Sequence, residues 1–130
     1  MLVRLLYASL SEREIDDALT ASILEHSQRH NAEHGITGVL CVYPPGRVFL
    51  QLLEGGRDQV NALYAAIVRD PRHHRVTLLD YAEIGERRFA AWRMGSVNLN
   101  RVNLGILLRF SERAVLDPFA MSGTAILALL

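Results

Sequence analysis

The order of its apolar segments limits what this chain can fold into more than any other feature of the sequence. Short apolar runs typical of buried strands occupy residues 2–9, 36–43, 47–54 and 75–84. Apolar residues at helical spacing fill the two longer gaps between these runs, over residues 15–24 and 60–68. The pattern therefore predicts strand, helix, strand, strand, helix, strand.

Residues that start and stop helices support this order. Ser11 followed by Glu14 fits a capping box, which predicts that the first helix begins after Ser11, and Gly35 ends it. Asp70, followed by a proline, ends the second helix because the residue before proline avoids helical geometry. Pro-Pro-Gly at 44–46 predicts the turn of an antiparallel hairpin between the second and third strands.

These elements predict an α+β fold, a ferredoxin-like βαββαβ sandwich. In such a fold the first and third strands are central neighbours, and the two helices lie on one sheet face. Residues 92–98 predict an added fifth strand, and residues 102–130 predict two short helical segments that form a C-terminal helical cap. With 130 residues, of which 50% are hydrophobic, one domain can bury its core without disulfides or metal.

Composition excludes several classes of function. All 14 basic residues are arginine, and the absence of lysine removes Schiff-base chemistry, pyridoxal phosphate attachment and P-loops. A net charge of +0 argues against nucleic acid or a membrane as the main partner. The single cysteine, Cys41, allows no disulfide within the chain, and no signal peptide or membrane-spanning stretch is present, so we expect a cytoplasmic location.

One amide interrupts the apolar run of the third strand. Gln51 lies between Leu50 and Leu52, and an unpaired buried amide costs about 1 to 3 kcal/mol. Strand periodicity places Gln51 on the same face of its strand as Phe49 and Leu53, and Tyr7 on the same face of the first strand as Val3 and Leu5. If these strands are neighbours, the Tyr7 hydroxyl and the Gln51 amide can meet. From the pattern alone, a hydrogen bond that only satisfies the core is the simpler interpretation.

Other polar and aromatic residues have an equally simple structural interpretation. Ser27 and Asn31 are four apart on one face of the first helix, where a short amide is also common as a helix-end residue. In the predicted fifth strand, Trp92 and Met94 fall on one side by a period of two, and either is usually core filling.

The sequence predicts no metal site. His73 and His74 are adjacent, and adjacent side chains of an extended segment point in opposite directions. A nucleophile elbow and a Gly-rich loop after the first strand are both absent from the sequence, which disfavours hydrolases of that type and a Rossmann cofactor site.

Five motifs in collinear order nevertheless make the chain similar to BLUF domains, which sense blue light with FAD. They are Arg-Leu-Leu-Tyr-Ala-Ser at 4–9, Asn31 with Gly-Ile-Thr-Gly-Val-Leu at 35–40, Phe-Leu-Gln-Leu-Leu-Glu-Gly at 49–55, Asp-Pro-Arg-His-His at 70–74 and Phe-Ala-Ala-Trp-Arg-Met at 89–94. The resemblance implies a flavin-binding photosensor domain over residues 1–98. Residues 99–130 resemble the helical extension that short, single-domain members pack on that domain.

The resemblance also implies roles for the polar residues. Tyr7 and Gln51 would be the photochemical pair, with Gln51 joining Tyr7 to the flavin. Cofactor binding would fall to Asn31 and Ser27 beside the ring, with the remaining candidates near the ring or the ribityl and phosphate side: His30, Asp70, Arg72 and His73.

The expected function is that of a blue-light photoreceptor and not an enzyme. Electron and proton transfer from Tyr7 would rearrange the hydrogen bonds of Gln51, and Met94 or Trp92 would carry the change through the fifth strand to the C-terminal helices. A downstream protein partner or a homo-oligomer would receive it, at apolar residues of the cap: Leu104, Ile106, Leu107, Leu108, Phe110 and residues 125–130.

Three alternatives stay open on the sequence. The first is a ferredoxin-like regulatory module that binds another small molecule without photochemistry. The second is a flavin or metal enzyme that uses the same pocket for turnover. An RNA-binding module is the weakest, because the sheet lacks the exposed aromatic and basic pattern that stacks bases.

Overall fold

The computed structural model describes residues 1–101 and 104–130. Within these residues, the strands and α-helices in chain order are β1 (Leu2–Ser11), α1 (Asp17–His34), β2 (Thr37–Tyr43), β3 (Val48–Gly56), α2 (Arg57–Arg69), β4 (His73–Ile84), β5 (Gly95–Asn98), α3 (Leu104–Phe110) and α4 (Gly123–Leu129). Short 3-10 turns occupy Pro44–Gly46, Leu99–Arg101 and Pro118–Ala120.

The described strands form one sheet in the order β4-β1-β3-β2-β5. The pairs β1–β3, β1–β4 and β2–β3 are antiparallel, and β5 runs parallel to β2. The predicted α+β fold is confirmed, including the central position of the first and third strands. Gly38 in β2 is required for this pairing, because its φ is +154° and a Cβ there would lie 1.9 Å from the Leu52 carbonyl oxygen.

Each face of the sheet carries its own apolar cluster. Side chains of α1 and α2 pack on one face, around Leu5, Phe49 and Val60. The C-terminal segments pack on the other face, where Leu107 and Ile126 contact the cluster that contains Leu50. The helices of the βαββαβ unit and the C-terminal helices therefore lie on opposite sides of the sheet.

The first helix begins later than the capping box predicted. Asp16 caps α1, since its Oδ1 accepts from the Leu19 backbone N–H at 2.7 Å. Ser11 belongs to β1, and its Oγ accepts from the Arg13 N–H at 3.2 Å. The predicted stop is confirmed, because Gly35 has a left-handed φ of +65°.

The fifth strand is shorter than predicted, and it begins at Gly95. The chain turns before it: the Trp92 N–H donates to the Phe89 carbonyl at 2.9 Å, and the Trp92 carbonyl accepts from the Gly38 N–H at 3.0 Å. Alternation by twos does not apply to such a segment. The expectation that Trp92 and Met94 share a side is wrong, since Trp92 is 42% exposed and Met94 is 3% exposed.

The remaining predictions for the C-terminal segment are met in part. Leu107 is buried, whereas Ile106 and Leu108 are exposed. Val102, Asn103 and the side chain of Leu104 lie outside the described residues.

Candidate functional site

A cavity opens between α1, α2 and the sheet face that these helices cover. Apolar side chains form much of its wall, and they include Ile23, Leu40, Phe49, Leu63 and Ile67. Its polar lining comes from Tyr7, His26, Ser27, His30, Asn31, Gln51, Asp70, Arg72 and His73. All eight residues predicted for photochemistry or cofactor binding therefore surround one cavity, although they come from four elements of the fold and the link between α2 and β4.

Tyr7 and Gln51 line the cavity from the side of the sheet. They are paired directly across β1 and β3, and each is 5% exposed. The Tyr7 hydroxyl donates to Gln51 Oε1 at 2.5 Å, so the predicted meeting of phenol and amide is confirmed. Burial is the main cause that raises the pKa of Tyr7, and the charges of Tyr64 and Asp70 add to it. Tyr7 therefore keeps its proton at neutral pH and acts as a donor.

The other end of the Gln51 amide is also partnered. Gln51 Nε2 donates to Met94 Sδ at 3.5 Å, and thioether sulfur is a weak acceptor. One side chain thus joins a phenol on β1 to the segment before β5. This pairing resolves the anomaly of a buried amide in an apolar strand.

The end of α1 fastens the same segment through amides. Asn31, 1% exposed, donates from Nδ2 to the Arg93 carbonyl at 2.6 Å. Gln28 Nε2 donates to the Met94 carbonyl at 3.1 Å. Ser27, one turn before Asn31, lines the cavity beside them. Asn31 therefore positions the backbone next to Met94 as well as facing the cavity.

Asp70 and Arg72 form a paired charge at the cavity wall. Asp70 accepts from the Arg72 guanidinium at 3.0 Å, 3.0 Å and 2.6 Å. This hydrogen bonding is the main cause that lowers the pKa of Asp70, and it raises the pKa of Arg72. Both groups are charged at neutral pH, and the guanidinium is available to an anionic group at the wall.

The two adjacent histidines point in opposite directions, as predicted. His73 faces the cavity, with Nδ1 at 2.7 Å from Ser9 Oγ and Nε2 at 2.6 Å from the Ile67 carbonyl oxygen. His74 lies on the outer side, where Nδ1 is 2.7 Å from a Glu12 carboxylate oxygen. Within the described residues, no group of three or more His, Cys, Asp or Glu side chains is placed to hold a metal ion.

His30 stacks on His34 at the edge of the cavity, with ring centroids 4.2 Å apart. Partial burial is the main cause that lowers the pKa of His30, and the neighbouring His34 and His26 lower it further. His30 is therefore neutral at pH 7 and presents an uncharged ring edge to the cavity.

Three residues with structural roles in this region were missed in the sequence. Gln28 gave no signal beyond its place on a polar helix, and Ser9 seemed only to close a strand. Glu54 ended the third strand, where charge is ordinary, yet it is 1% exposed. Its partners are 17 to 35 residues away in sequence, so no local pattern could find them.

This wall suits a planar heterocycle with a polar edge and an anionic tail. Apolar side chains can sandwich the ring, the phenol and amides can meet its polar edge, and Arg72 can face the tail.

Within the described part of the chain, no helix is long and apolar enough to cross a membrane.

The known proteins to which this chain is similar are all described as responding to light. The family model of sensors of blue light using FAD, BLUF, matches residues 2–95. The chain is 38% identical over 96 residues to the photoactivated adenylate cyclase subunit beta of Euglena longa, covering 73% of this chain and 11% of that protein. It is 36% identical over 91 residues to the blue light- and temperature-regulated antirepressor BluF of Escherichia coli (strain K12), covering 68% of this chain and 22% of that protein.

A solved structure extends the similarity to the whole chain. The photo-activated state of BlsA superposes with a TM-score of 0.88 at 30% identity, covering 100% of this chain and 92% of that chain. By contrast, this chain spans about a tenth of the cyclase subunit and about a fifth of the antirepressor.

Proposed function

Because this chain belongs to the BLUF family of blue-light photoreceptors, whose chromophore is FAD, we propose that Tyr7 and Gln51 carry its photochemistry. The observation that supports this most directly is the hydrogen bond from the Tyr7 hydroxyl to Gln51 Oε1 inside the cavity. The family is described as one of sensors, so a regulatory module without photochemistry is not favoured. The adenylate cyclase among the relatives is a protein of which this chain spans 11%, and we infer that this chain is a sensor and not an enzyme.

The residues around the cavity fit FAD. Asn31, Ser27 and His30 would hold the polar edge of the flavin ring, because they come from one face of α1 beside Gln51. Arg72, positioned by Asp70, would hold the phosphate side, and His73 would close the wall next to Tyr7. When bound, FAD absorbs blue light and supplies a strong one-electron oxidant in its excited state.

Tyr7 is the side chain suited to give up an electron together with a proton. Its buried hydroxyl already points at Gln51 Oε1, so the phenol proton can pass to this oxygen as the electron leaves. When the electron and proton return, Tyr7 is restored and no substrate has been consumed. The lasting change is in the orientation of the Gln51 amide, whose two ends have opposite hydrogen-bonding character.

A reoriented Gln51 changes what it offers to Met94. In the structure, Gln51 Nε2 donates to Met94 Sδ. After reorientation the amide oxygen would lie in this place, and it has no proton to donate. Met94 immediately precedes β5, so the change would reach β5 and the helical extension at residues 99–130 from the sensor domain at residues 1–98. Trp92, packed on Phe89 with ring centroids 5.4 Å apart, would report the same movement at the surface.

The signal would pass to a protein partner or a second copy of the chain in the cytoplasm. Exposed apolar side chains of α3, Ile106 and Leu108, offer a contact surface on the helical extension.

One absorption experiment tests the proposal. The purified chain loaded with FAD should be yellow, its absorption should move reversibly to longer wavelength under blue light, and Gln51→Ala should abolish that shift while flavin stays bound. A chain that stays colourless after incubation with FAD, or a full photocycle in Gln51→Ala, would overturn it. Flavin reduction by an added substrate in the dark would point instead to a flavin enzyme.

A further inference from the structure

Glu54 is a buried carboxylate whose hydrogen bonds hold a loop. It lies three residues after Gln51 on β3, and this odd spacing places the two side chains on opposite faces of the sheet. Glu54 Oε2 accepts from the Arg88 backbone N–H at 2.7 Å, and Oε1 accepts from the Phe89 backbone N–H at 3.0 Å. Thr37 Oγ1 also donates to Oε1 at 3.0 Å.

These bonds fix the beginning of a short segment that we call the connector, residues 88–94. Its end is held from the other face of the sheet, where Asn31 bonds the Arg93 carbonyl and Gln28 bonds the Met94 carbonyl. The connector is therefore fastened to the sheet at one end and to α1 at the other, with Met94 at the end that meets Gln51.

We infer that Glu54 is a positioning residue that fixes the connector and thereby holds Met94 against the Gln51 amide. The inference rests on the proposed function of Gln51, although the anchor itself is a property of the fold. A buried carboxylate is costly unless its oxygens accept several hydrogen bonds, and two of its three donors belong to the connector backbone. Release of these donors would free the backbone at the start of the connector, which would then be held to β2 and α1 only from Trp92 onward.

The same anchor reaches the C-terminal extension through Arg88. The Arg88 backbone N–H donates a hydrogen bond to Glu54 Oε2, and the Arg88 guanidinium Nη1 donates to the Leu127 carbonyl of α4 at 3.2 Å. Glu54 thus fixes the residue that joins the connector to α4. A displacement of Met94 toward or away from Gln51 is therefore resisted at Arg88, next to the extension.

Amide hydrogen exchange in the dark tests the anchor on the FAD-loaded chain. In Glu54→Gln, one oxygen becomes an NH2 group that faces a backbone N–H, so at least one donor loses its acceptor. The Arg88 amide, the Phe89 amide or both should then exchange roughly tenfold faster, whereas the amides of Leu6 and Leu52 should not change. Glu86→Gln makes the same charge change at an exposed position just before the connector and serves as the control. Thr37→Val spares both backbone donors and should leave the exchange of Arg88 and Phe89 nearly unchanged.

A second readout concerns the position of Met94. In Glu54→Gln the dark recovery of the long-wavelength absorption should change at least about threefold relative to Glu86→Gln, and emission from Trp92 should shift. A merely structural role would speed exchange of all core amides together and leave the recovery of the folded protein unaltered. Either of those results, or unaltered exchange at Arg88 and Phe89, would overturn the inference.

The unmodified chain gives an answer even if Glu54→Gln fails to fold. The Arg88 and Phe89 amides should exchange about tenfold more slowly than those of Ala90 and Ala91 in the exposed part of the connector. Equal rates would disprove the anchor. Exchange is measured without light, so loss of the photocycle in the unmodified chain would count against the proposed function alone.

Discussion

The rings of Tyr7 and Tyr64 lie 5.7 Å apart, yet it is the Tyr7 hydroxyl that donates to Gln51. Burial raises the pKa of both phenols, so both are protonated at neutral pH. Tyr7→Phe removes the donor at Gln51 Oε1 and should abolish the light-induced shift to longer wavelength, while flavin stays bound. Absorption spectra before and after blue light measure the effect.

Tyr64→Phe is the matched control for this substitution, because it removes the same hydroxyl from a neighbouring ring. It should retain the shift. A full photocycle in Tyr7→Phe would show that Tyr7 is not the electron donor. Loss of the photocycle in Tyr64→Phe alone would show that Tyr64 is the donor instead.

Met94→Leu should slow dark recovery roughly two- to threefold. The substitution keeps the volume of a side chain that is 3% exposed and removes the sulfur that accepts from Gln51 Nε2. The dark orientation of the amide then loses a weak partner. Time-resolved absorption after a blue pulse gives the rate, and Met121→Leu, on the opposite face of the sheet, is the control. Equal rates in the two variants would contradict the role of the sulfur.

Arg72→Ala should weaken binding of FAD roughly tenfold and leave binding of riboflavin nearly unchanged. The variant removes the cation at the cavity wall and leaves the Asp70 carboxylate without its main hydrogen-bond donor. Riboflavin lacks phosphate and is indifferent to this change, so flavin fluorescence titrations of both ligands separate the two effects. Arg29→Ala breaks a comparable pair with Glu25 outside the cavity and should change neither affinity. Equal losses for both ligands would place Arg72 away from the phosphate side.

Acid should destabilise the flavin-free chain through His30. Its pKa in the folded chain lies below the ordinary value of 6.5, so between these two pKa values the unfolded chain binds more protons than the folded one. The contribution of His30 to stability is therefore present above pH 6.5 and is lost as the pH falls toward the folded pKa. Melting temperatures should fall less between about pH 7.5 and about pH 5.5 in His30→Gln than in the unmodified chain.

His74→Gln is the control for the pH series, since His74 lies at the edge of the sheet beside Glu12. Like His30→Gln, it replaces an imidazole by an amide, so it shows what the substitution itself does to the melting temperature. A His30→Gln chain that melts with the unmodified pH dependence would contradict the role of His30.

The sequence was sufficient where a simple period applies to a long element. Tyr7 and Gln51 lie in strands of ten and nine residues, so alternation placed them on the correct faces, and the strand order placed them side by side. The cavity residues far apart in the chain, such as Asn31 and Arg72, were joined only by resemblance to a family. Periodicity alone gave no reason to expect them around one cavity.

The predictions were wrong where two residues could each cap the same helix and where the chain turns before a strand. Asp16 and Ser11 can each cap a helix, and β1 extends far enough to include Ser11. Trp92 precedes a strand that alternation could describe only from Gly95 onward. Glu54 was missed because two of its donors come from a loop more than 30 residues later and the third comes from β2, and tertiary contacts of this kind leave no periodic trace.

Because β5 is short, its detachment from the sheet requires little energy. β5 comprises four residues, lies at the edge of the sheet and pairs in parallel with β2. Parallel pairs are slightly weaker per residue than antiparallel ones, and edge elements open most readily in native proteins. Detachment of this strand would break a single four-residue ladder and would leave β1 and β3 intact. A change in one amide is therefore well matched to an edge strand that a single short parallel ladder holds to the sheet.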